Sequence, residues 1–246
     1  AVGQTLVVRF SRQVHAVRAG ETLSSIARDY GISIRQLWRN NWPLGGKETV
    51  WPGQVLVISY FEEKLGPAVF NGYAYPNISP ALLVEQLPYL TDLAPFTYGI
   101  TSEGALLPLS DEEMIAAARL HGTAPVLHLS TLTENGQFST ERAETVLTDG
   151  AMQAALLTQI ADTVRVKGFA GVDVDFEYLP GYLSGAYAAF LERLRRILRP
   201  IGRFLWVALA PKTSADQRGL LYEGHDYAAL DAAVDAALLM TYEWGY

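Results

Sequence analysis

The sequence predicts an α/β protein: a (β/α)8 TIM barrel, with six of its eight units present and its C-terminal part missing, preceded by a small α+β module. Three observations lead there. Strand and helix signals alternate from about residue 69 to the end of the chain. The most chemically loaded stretch, residues 168–178, is the fourth strand of that series, and its acids fall toward the strand's C-terminal end, where such barrels carry their sites. Residues 13–59 follow a different pattern, strand-helix-helix-strand, around a very small core.

Composition sets the limits. The chain has 246 residues, half of them hydrophobic, which suffices for one large domain or for a large one plus a small one. A formal charge of −7 argues against a nucleic-acid binder and against nonspecific attraction to an acidic polymer. There is no cysteine, so disulfides and thiolate metal sites are excluded. No apolar run reaches transmembrane length, and the first ten residues lack the shape of a signal peptide. A signal removed earlier, or lying upstream, remains compatible with this start. No histidine–carboxylate cluster has the spacing of a metal site, so neither metal nor cofactor is expected.

Residues 2–8 and 52–58 resemble each other, which suggests a module repeating at about fifty residues, with residues 1–12 as the tail of a preceding copy. In the readable copy, Gln13 to Arg18 is a strand closed by Ala19 and Gly20. Thr22 caps a helix running to Tyr30, with Gly31 as its stop. Ser33 opens a second helix, with Gln36 placed for a capping box, and Asn40 and Asn41 end it. Val55 to Ile58 is the closing strand. The pieces His15 to Leu23, Ile26-Ala27, Tyr30-Gly31-Ile32, Leu37, Asn40-Asn41 and Pro52 to Leu56 closely resemble the LysM fold. That resemblance implies binding of N-acetylglucosamine-containing glycans. It places Gly20, Glu21, Thr22 and Leu23 on one side of the groove and Asn41 on the other. Trp42 and Trp51, in the long second loop, are open to two readings: stacking on a sugar face, or covering the core. His15 reads as a surface strand residue.

Residues 60–67 are expected as a junction, and 68–246 as the barrel. Val69 to Tyr75 is the first strand, ended by Pro76. Ser79-Pro80 opens a helix to about Leu87, which Pro88 interrupts. Pro95 to Thr101 holds the second strand. Ser110 and Glu113 form a capping box for a helix ending near His121-Gly122, and Pro125 to Leu129 is the third strand. Ser139 to Lys167 is helical with a break at Thr148-Asp149-Gly150. After the acidic strand, Gly185 to Leu198 is an amphipathic helix, Phe204 to Ala210 the fifth strand, Tyr227 to about Val234 a helix and Ala237 to Tyr242 the sixth strand. No glycine-rich phosphate loop follows the first strand, which favours a barrel over a nucleotide-binding sheet.

In the acidic strand, Asp173, Asp175 and Glu177 alternate with Val172, Val174 and Phe176. Alternate strand residues face opposite sides, so the acids share one face and the apolar residues the other. Unpaired buried carboxylates are expensive, so three in a row on a well-buried strand indicate a site rather than architecture. The alternative is an exposed edge strand with a solvated acidic face.

Residues Gly171 to Glu177 resemble the DxxDxDxE signature of family 18 glycoside hydrolases, and Met240-Thr241-Tyr242-Glu243-Trp244 is similar to their sixth-strand Met-x-Tyr-Asp segment. Two departures stand out: Ala170 occupies the outermost Asp position, and Glu243 replaces the Asp after the tyrosine. Together with LysM, and with the Asp-Phe-Glu-Tyr ending, the resemblance narrows to spore-cortex and cell-wall N-acetylglucosaminidases of the YaaH/SleL type.

It implies retaining, substrate-assisted hydrolysis of peptidoglycan, with a chitinase or a non-catalytic cell-wall- or chitin-binding protein as alternatives. Glu177 is then general acid and later base. Asp175 orients and stabilises the substrate's acetamido group, Tyr242 donates to the acetamido oxygen, and Asp173 shares a proton with Asp175 or orients it. Tyr73, Tyr98, Tyr178, Glu243 and Trp244 are the expected sugar contacts. His128 reads as a satisfied barrel histidine. The implied partner is peptidoglycan or a chitin-like polymer, met outside the cell by a secreted monomer in the cell wall or spore cortex.

Overall fold

The computed structural model describes residues 9–61 and 66–242. Residues 1–8, expected as most of a preceding repeat's tail, residues 62–65 of the junction, and Glu243 and Trp244 lie outside the described residues. The chain divides into two compact units. The first joins the N-terminal module to Asn77–Asp92 and Ala116–Thr123, and the second holds Tyr73–Pro76, Leu93–Ile115 and the chain from Ala124 onward.

The module is built as strand β1 (Ser11–Ala16), helices α1 (Leu23–Asp29) and α2 (Ile34–Asn40), a 3-10 turn at Trp42–Leu44 and strand β2 (Val55–Tyr60). β1 starts earlier than the expected Gln13 and pairs antiparallel with β2. Thr22 caps α1 as expected, and the reciprocal capping box forms here, with Ser25. At α2 only half a box forms. Ser33 accepts from the Gln36 amide, but the Gln36 side chain instead donates to Asn40 Oδ1 at 2.9 Å. The core is Val17, Leu23, Ile26, Ala27, Leu37, Trp38, Leu44, Leu56 and Ile58.

So small a core gains little from burial alone, and side-chain hydrogen bonds lock it. Asn41 Nδ2 donates to the carbonyls of Leu37 and Val57 at 2.9 and 2.8 Å, and its Oδ1 accepts from the Val57 amide at 2.7 Å. Within the same unit, Arg35 and Arg39 both donate Nε–H to the Pro88 carbonyl, at 2.9 and 2.6 Å. The Trp38 ring lies 5.0 Å from that of His121.

In the barrel-like part, β3 (Asn71–Ala74) is followed by α3 (Pro80–Gln86), which a 3-10 turn at Leu87–Tyr89 continues past Pro88. β4 is Asp92–Pro95. The second strand therefore lies earlier than expected: the wholly buried run Asp92, Leu93, Ala94, Pro95 takes the sheet position. Part of the stretch expected as strand, Gly99–Ile100 (β5), forms a hairpin with Leu106–Leu107 (β6). Next come α4 (Glu112–Leu120), β7 (Ala124–Ser130), α5 (Thr140–Thr148), α6 (Gly150–Lys167), β8 (Gly171–Asp175), α7 (Ser184–Leu198), β9 (Phe204–Leu209), α8 (Tyr227–Ala233) and β10 (Ala236–Leu239). The expected break before Gly150 is a cap: Asp149 accepts from the amides of Ala151 and Met152.

The six-stranded sheet has the order β10-β9-β8-β7-β4-β3, and the registers from β7 to β10 are parallel. Each new strand joins the same edge, so the order never reverses. A doubly wound sheet would reverse it. This is the winding of a (β/α)8 barrel, of which the described residues supply six strands. Around β8 the core gathers Leu127, Leu129, Val172, Val174, Phe176, Leu205 and Val207, covered by α6 and α7 through Ile160, Val164, Phe190 and Leu194.

Replacing Asn41 by Ala strands the Val57 amide and two carbonyls. We expect it to lower unfolding stability by about 1–3 kcal/mol, read by chemical denaturation, with a Trp38 fluorescence change reporting on the module.

Candidate active site

β8 starts at Gly171, and a Cβ there would lie 2.3 Å from the Phe204 ring. Only glycine lets that ring lie across the strand. From this start the alternation runs as expected. Val172, Val174 and Phe176 are fully buried in the core. Phe176 stacks on Tyr187 and Phe190, with ring centres 5.4 and 5.5 Å away. Its carbonyl accepts from His225 Nε2 at 2.9 Å. This clamp holds the residue between Asp175 and Glu177.

The acids point the other way. Asp175, Glu177 and Tyr178 line a cavity of about 640 Å³ with Tyr73, Tyr75, Phe96, His128, Phe138 and Tyr242. Asp173 is fully buried beneath it, and its Oδ2 accepts from the Tyr73 hydroxyl at 2.5 Å. That bond satisfies part of a carboxylate that burial would otherwise penalise. Burial first, and then the Asp173 charge, hold the Tyr73 phenol far above its usual range, so it stays a donor. His128 Nε2 lies 3.7 Å from Asp175 Oδ2. Burial pushes this imidazole below its usual value against the pull of Asp173.

Just past Glu177 the backbone turns sharply, with Tyr178 at φ 55, a left-handed conformation few side chains adopt. Its carbonyl accepts from Thr140 Oγ1 at 2.9 Å. Tyr242 lies beyond the end of β10, largely exposed at the cavity rim.

The structure thus brings Asp175, Glu177, Tyr242, Tyr73 and Tyr178 to one cavity, with Asp173 directly below. It does not bring Tyr98. That residue bridges to Leu129 in parallel register, so its side chain shares the core face of Leu129, and its hydroxyl donates to Asp111 at 2.8 Å. Sequence reasoning missed Tyr75, Phe96 and Phe138. Tyr75 was within reach, since it shares a strand face with Tyr73. Phe138 follows a loop and carries no local signal.

In the module, Gly20, Glu21 and Thr22 lie in the β1–α1 loop. Leu23 is in the core, and the Asn41 side chain is committed to the backbone bonds above, so neither offers a side chain to a ligand. Trp42 and Trp51 are both exposed rather than covering the core. His15 is not a free surface residue: Nε2 meets Glu21 at 2.7 Å and Nδ1 meets the Tyr30 hydroxyl at 3.1 Å. The Arg18 amide and then His15 hold the Glu21 carboxyl below its usual range. Among the described residues no group of histidines and carboxylates is arranged to hold a metal ion.

A capped two-helix module followed by a parallel (β/α) sheet that carries this acid row is the arrangement in which the chain is similar to known proteins. Residues 15–59 match the LysM domain, and residues 133–245 match glycosyl hydrolases family 18. A cortical fragment-lytic enzyme of Bacillus subtilis (strain 168) is 38% identical over 164 residues, 66% of this chain and 37% of that protein. The crystal structure of the Bacillus cereus spore cortex-lytic enzyme SleL superposes with a TM-score of 0.68 at 30% identity, covering 95% of this chain and 54% of that one. A class V chitinase from Pseudomonas fluorescens Pf-5 gives 0.65 at 28% identity, over 71% and 54%. The chain spans between about a third and a half of the length of these relatives.

His128 and His225 are both held below the usual histidine value, in each case chiefly by burial. As pH falls through about 6.5, the unfolded chain takes up protons that the folded chain refuses. Their stabilisation is therefore complete above that pH and is lost as pH drops toward the folded values. Denaturant midpoints should fall between pH 7 and 5, and the slope should flatten in the double variant His128→Gln/His225→Gln.

Proposed function

We propose that the protein to which this chain belongs is a retaining N-acetylglucosaminidase that cleaves β-1,4 bonds of peptidoglycan, in the spore cortex or cell wall. The observation that carries the reading is the shared cavity: Glu177 and Asp175 lie side by side in it with Tyr242 at its rim, and Asp173 sits beneath. Glu177 is the last acid of the row, two residues past the end of β8, where a glycosidic oxygen in the cavity can reach it. It donates its proton to that oxygen and later takes one from water. Glu177 and Asp175 are only two residues apart, too close along the strand for a water-spaced inverting pair. The resemblance to family 18 enzymes implies that the substrate's own acetamido oxygen, rather than Asp175, attacks the anomeric carbon. Asp175 orients that acetamido group and offsets the positive charge that grows on it, while Tyr242 donates its hydroxyl to the acetamido oxygen. Asp173, held by Tyr73, sets the orientation of Asp175.

The aromatic lining suits pyranose faces, which stack on such rings. Tyr73 and Tyr178 serve there, and Glu243 and Trp244 follow Tyr242 in sequence. Residues 13–59 bind the glycan through the loop at Gly20, Glu21 and Thr22, with the exposed Trp42 and Trp51 as stacking surfaces. The protein acts as a secreted monomer. Peptidoglycan is favoured over chitin because the cortical fragment-lytic relative is more similar in sequence than the chitinase is.

The test is mass spectrometry of purified cortex and vegetative peptidoglycan digested by the full-length protein. Muropeptides with reducing-end N-acetylglucosamine are expected, with Glu177→Gln lowering their rate of release by roughly 10²- to 10⁴-fold. Products ending in reducing muramic acid, or an active Glu177→Gln protein, would contradict the assignment.

A further inference from the structure

One buried group in the carboxylate cluster is left without a role by that chemistry. His128 on β7 has Asp173 of β8 as its register partner. Its ring meets Tyr73 and Phe96 edge-on at 5.1 and 4.8 Å, which leaves it little freedom to turn. Nδ1 lies 2.9 Å from Thr97 Oγ1. The same hydroxyl lies 3.2 Å from the Tyr98 and His128 carbonyls and from Ser130 Oγ. A hydroxyl has one proton to give, and Nδ1 is its nearest acceptor. A ring that accepts at Nδ1 carries its proton on Nε2 when neutral, and burial keeps it neutral. That Nε2–H faces Asp175 Oδ2 across 3.7 Å. This is longer than a hydrogen bond, but a small rotation of the carboxylate closes it.

We propose that His128, with its tautomer set by Thr97, is a positioning residue for Asp175: its Nε2–H is the donor that fixes the orientation of this carboxylate within the cavity. The hydrolase reading enters only in what Asp175 then does for the substrate. The geometry follows from sequence placement. β7 and β8 are adjacent and in register, so an inward residue on one meets the acids of the other. Thr97 reaches the ring because the Tyr98 amide donates to the His128 carbonyl and so holds the chain alongside β7.

The experiment uses the full-length protein in two arms. The first is ¹⁵N NMR of the imidazoles, with the His128 signals assigned by their loss in His128→Gln. The Nε2–H tautomer is expected, with a displaced Nε2 signal in Asp175→Asn and tautomer mixing in Thr97→Val. The second is turnover of cortex fragments. His128→Leu should lower kcat by roughly 10- to 100-fold, with KM within about threefold of wild type, and Thr97→Val should shift kcat in the same direction. His128→Gln, whose amide presents a donor near the Nε2 position, should restore most of the rate.

An Nδ1–H tautomer, an Nε2 signal indifferent to Asp175→Asn, or a folded His128→Leu with wild-type kcat would each overturn the proposal. Should His128→Leu fail to fold, Thr97→Val carries the kinetic arm, and its unchanged kcat would overturn it equally. A wild-type protein that cleaves nothing would defeat the hydrolase reading, while the NMR arm would still decide the His128–Asp175 contact.

Discussion

The two-residue period of β8 is the constraint on which the rest of the structure depends. One face carries Val172, Val174 and Phe176, all fully buried. Burying each stabilises the fold by about 1.5–3 kcal/mol. The other face carries acids, and a buried carboxylate without partners costs several kcal/mol. The strand therefore belongs in the middle of a sheet only if its acidic face is given donors and a polar opening. Tyr73 supplies a donor to Asp173, and the cavity supplies the opening for Asp175 and Glu177. Strands on one side of β8 meet its acids: β7 through His128, and β3, two strands further along the sheet, through Tyr73.

The same constraint explains where the backbone departs from ordinary geometry. Gly171 admits Phe204 against the strand, so β9 approaches closely at the base of the acid row. At the other end, the left-handed Tyr178 is of the class of conformations that cost roughly 1–3 kcal/mol each. It is held by the Thr140 hydroxyl on its carbonyl and by an edge contact between its ring and Phe138. The turn comes three residues past the end of β8 at Asp175, and Glu177, just before it, stands at the cavity wall.

Much of this was legible in the sequence because it depends on periodicity. The alternation in residues 172–177, the break capped by Asp149 and the stop at Gly168 are local signals with local causes. Where the outcome depends on which neighbour a strand meets, the sequence misled. Phe96 and Tyr98 lie two apart and look like residues of one face, yet Phe96 lines the cavity while Tyr98 takes the core face of Leu129. Asn41 resembles a ligand-loop residue, but its amide is consumed by Leu37 and Val57. His15, read as exposed, is drawn in by Glu21 and Tyr30. In each case a hydrogen bond made across the fold, invisible to spacing, decided the orientation.

The proposed function gives the LysM-like module and the acid-lined cavity a single purpose: holding an insoluble polymer while its bonds are cut. That account turns on whether the acetamido group acts as the nucleophile beside Glu177 and Asp175. Two successive displacements at the anomeric carbon leave its configuration unchanged, whereas direct attack by water inverts it. The most direct measurement is ¹H NMR of the anomeric proton in the first products released by the full-length protein, before mutarotation. Newly formed reducing ends in the β configuration are predicted, and ends that appear first as the α anomer would contradict the account.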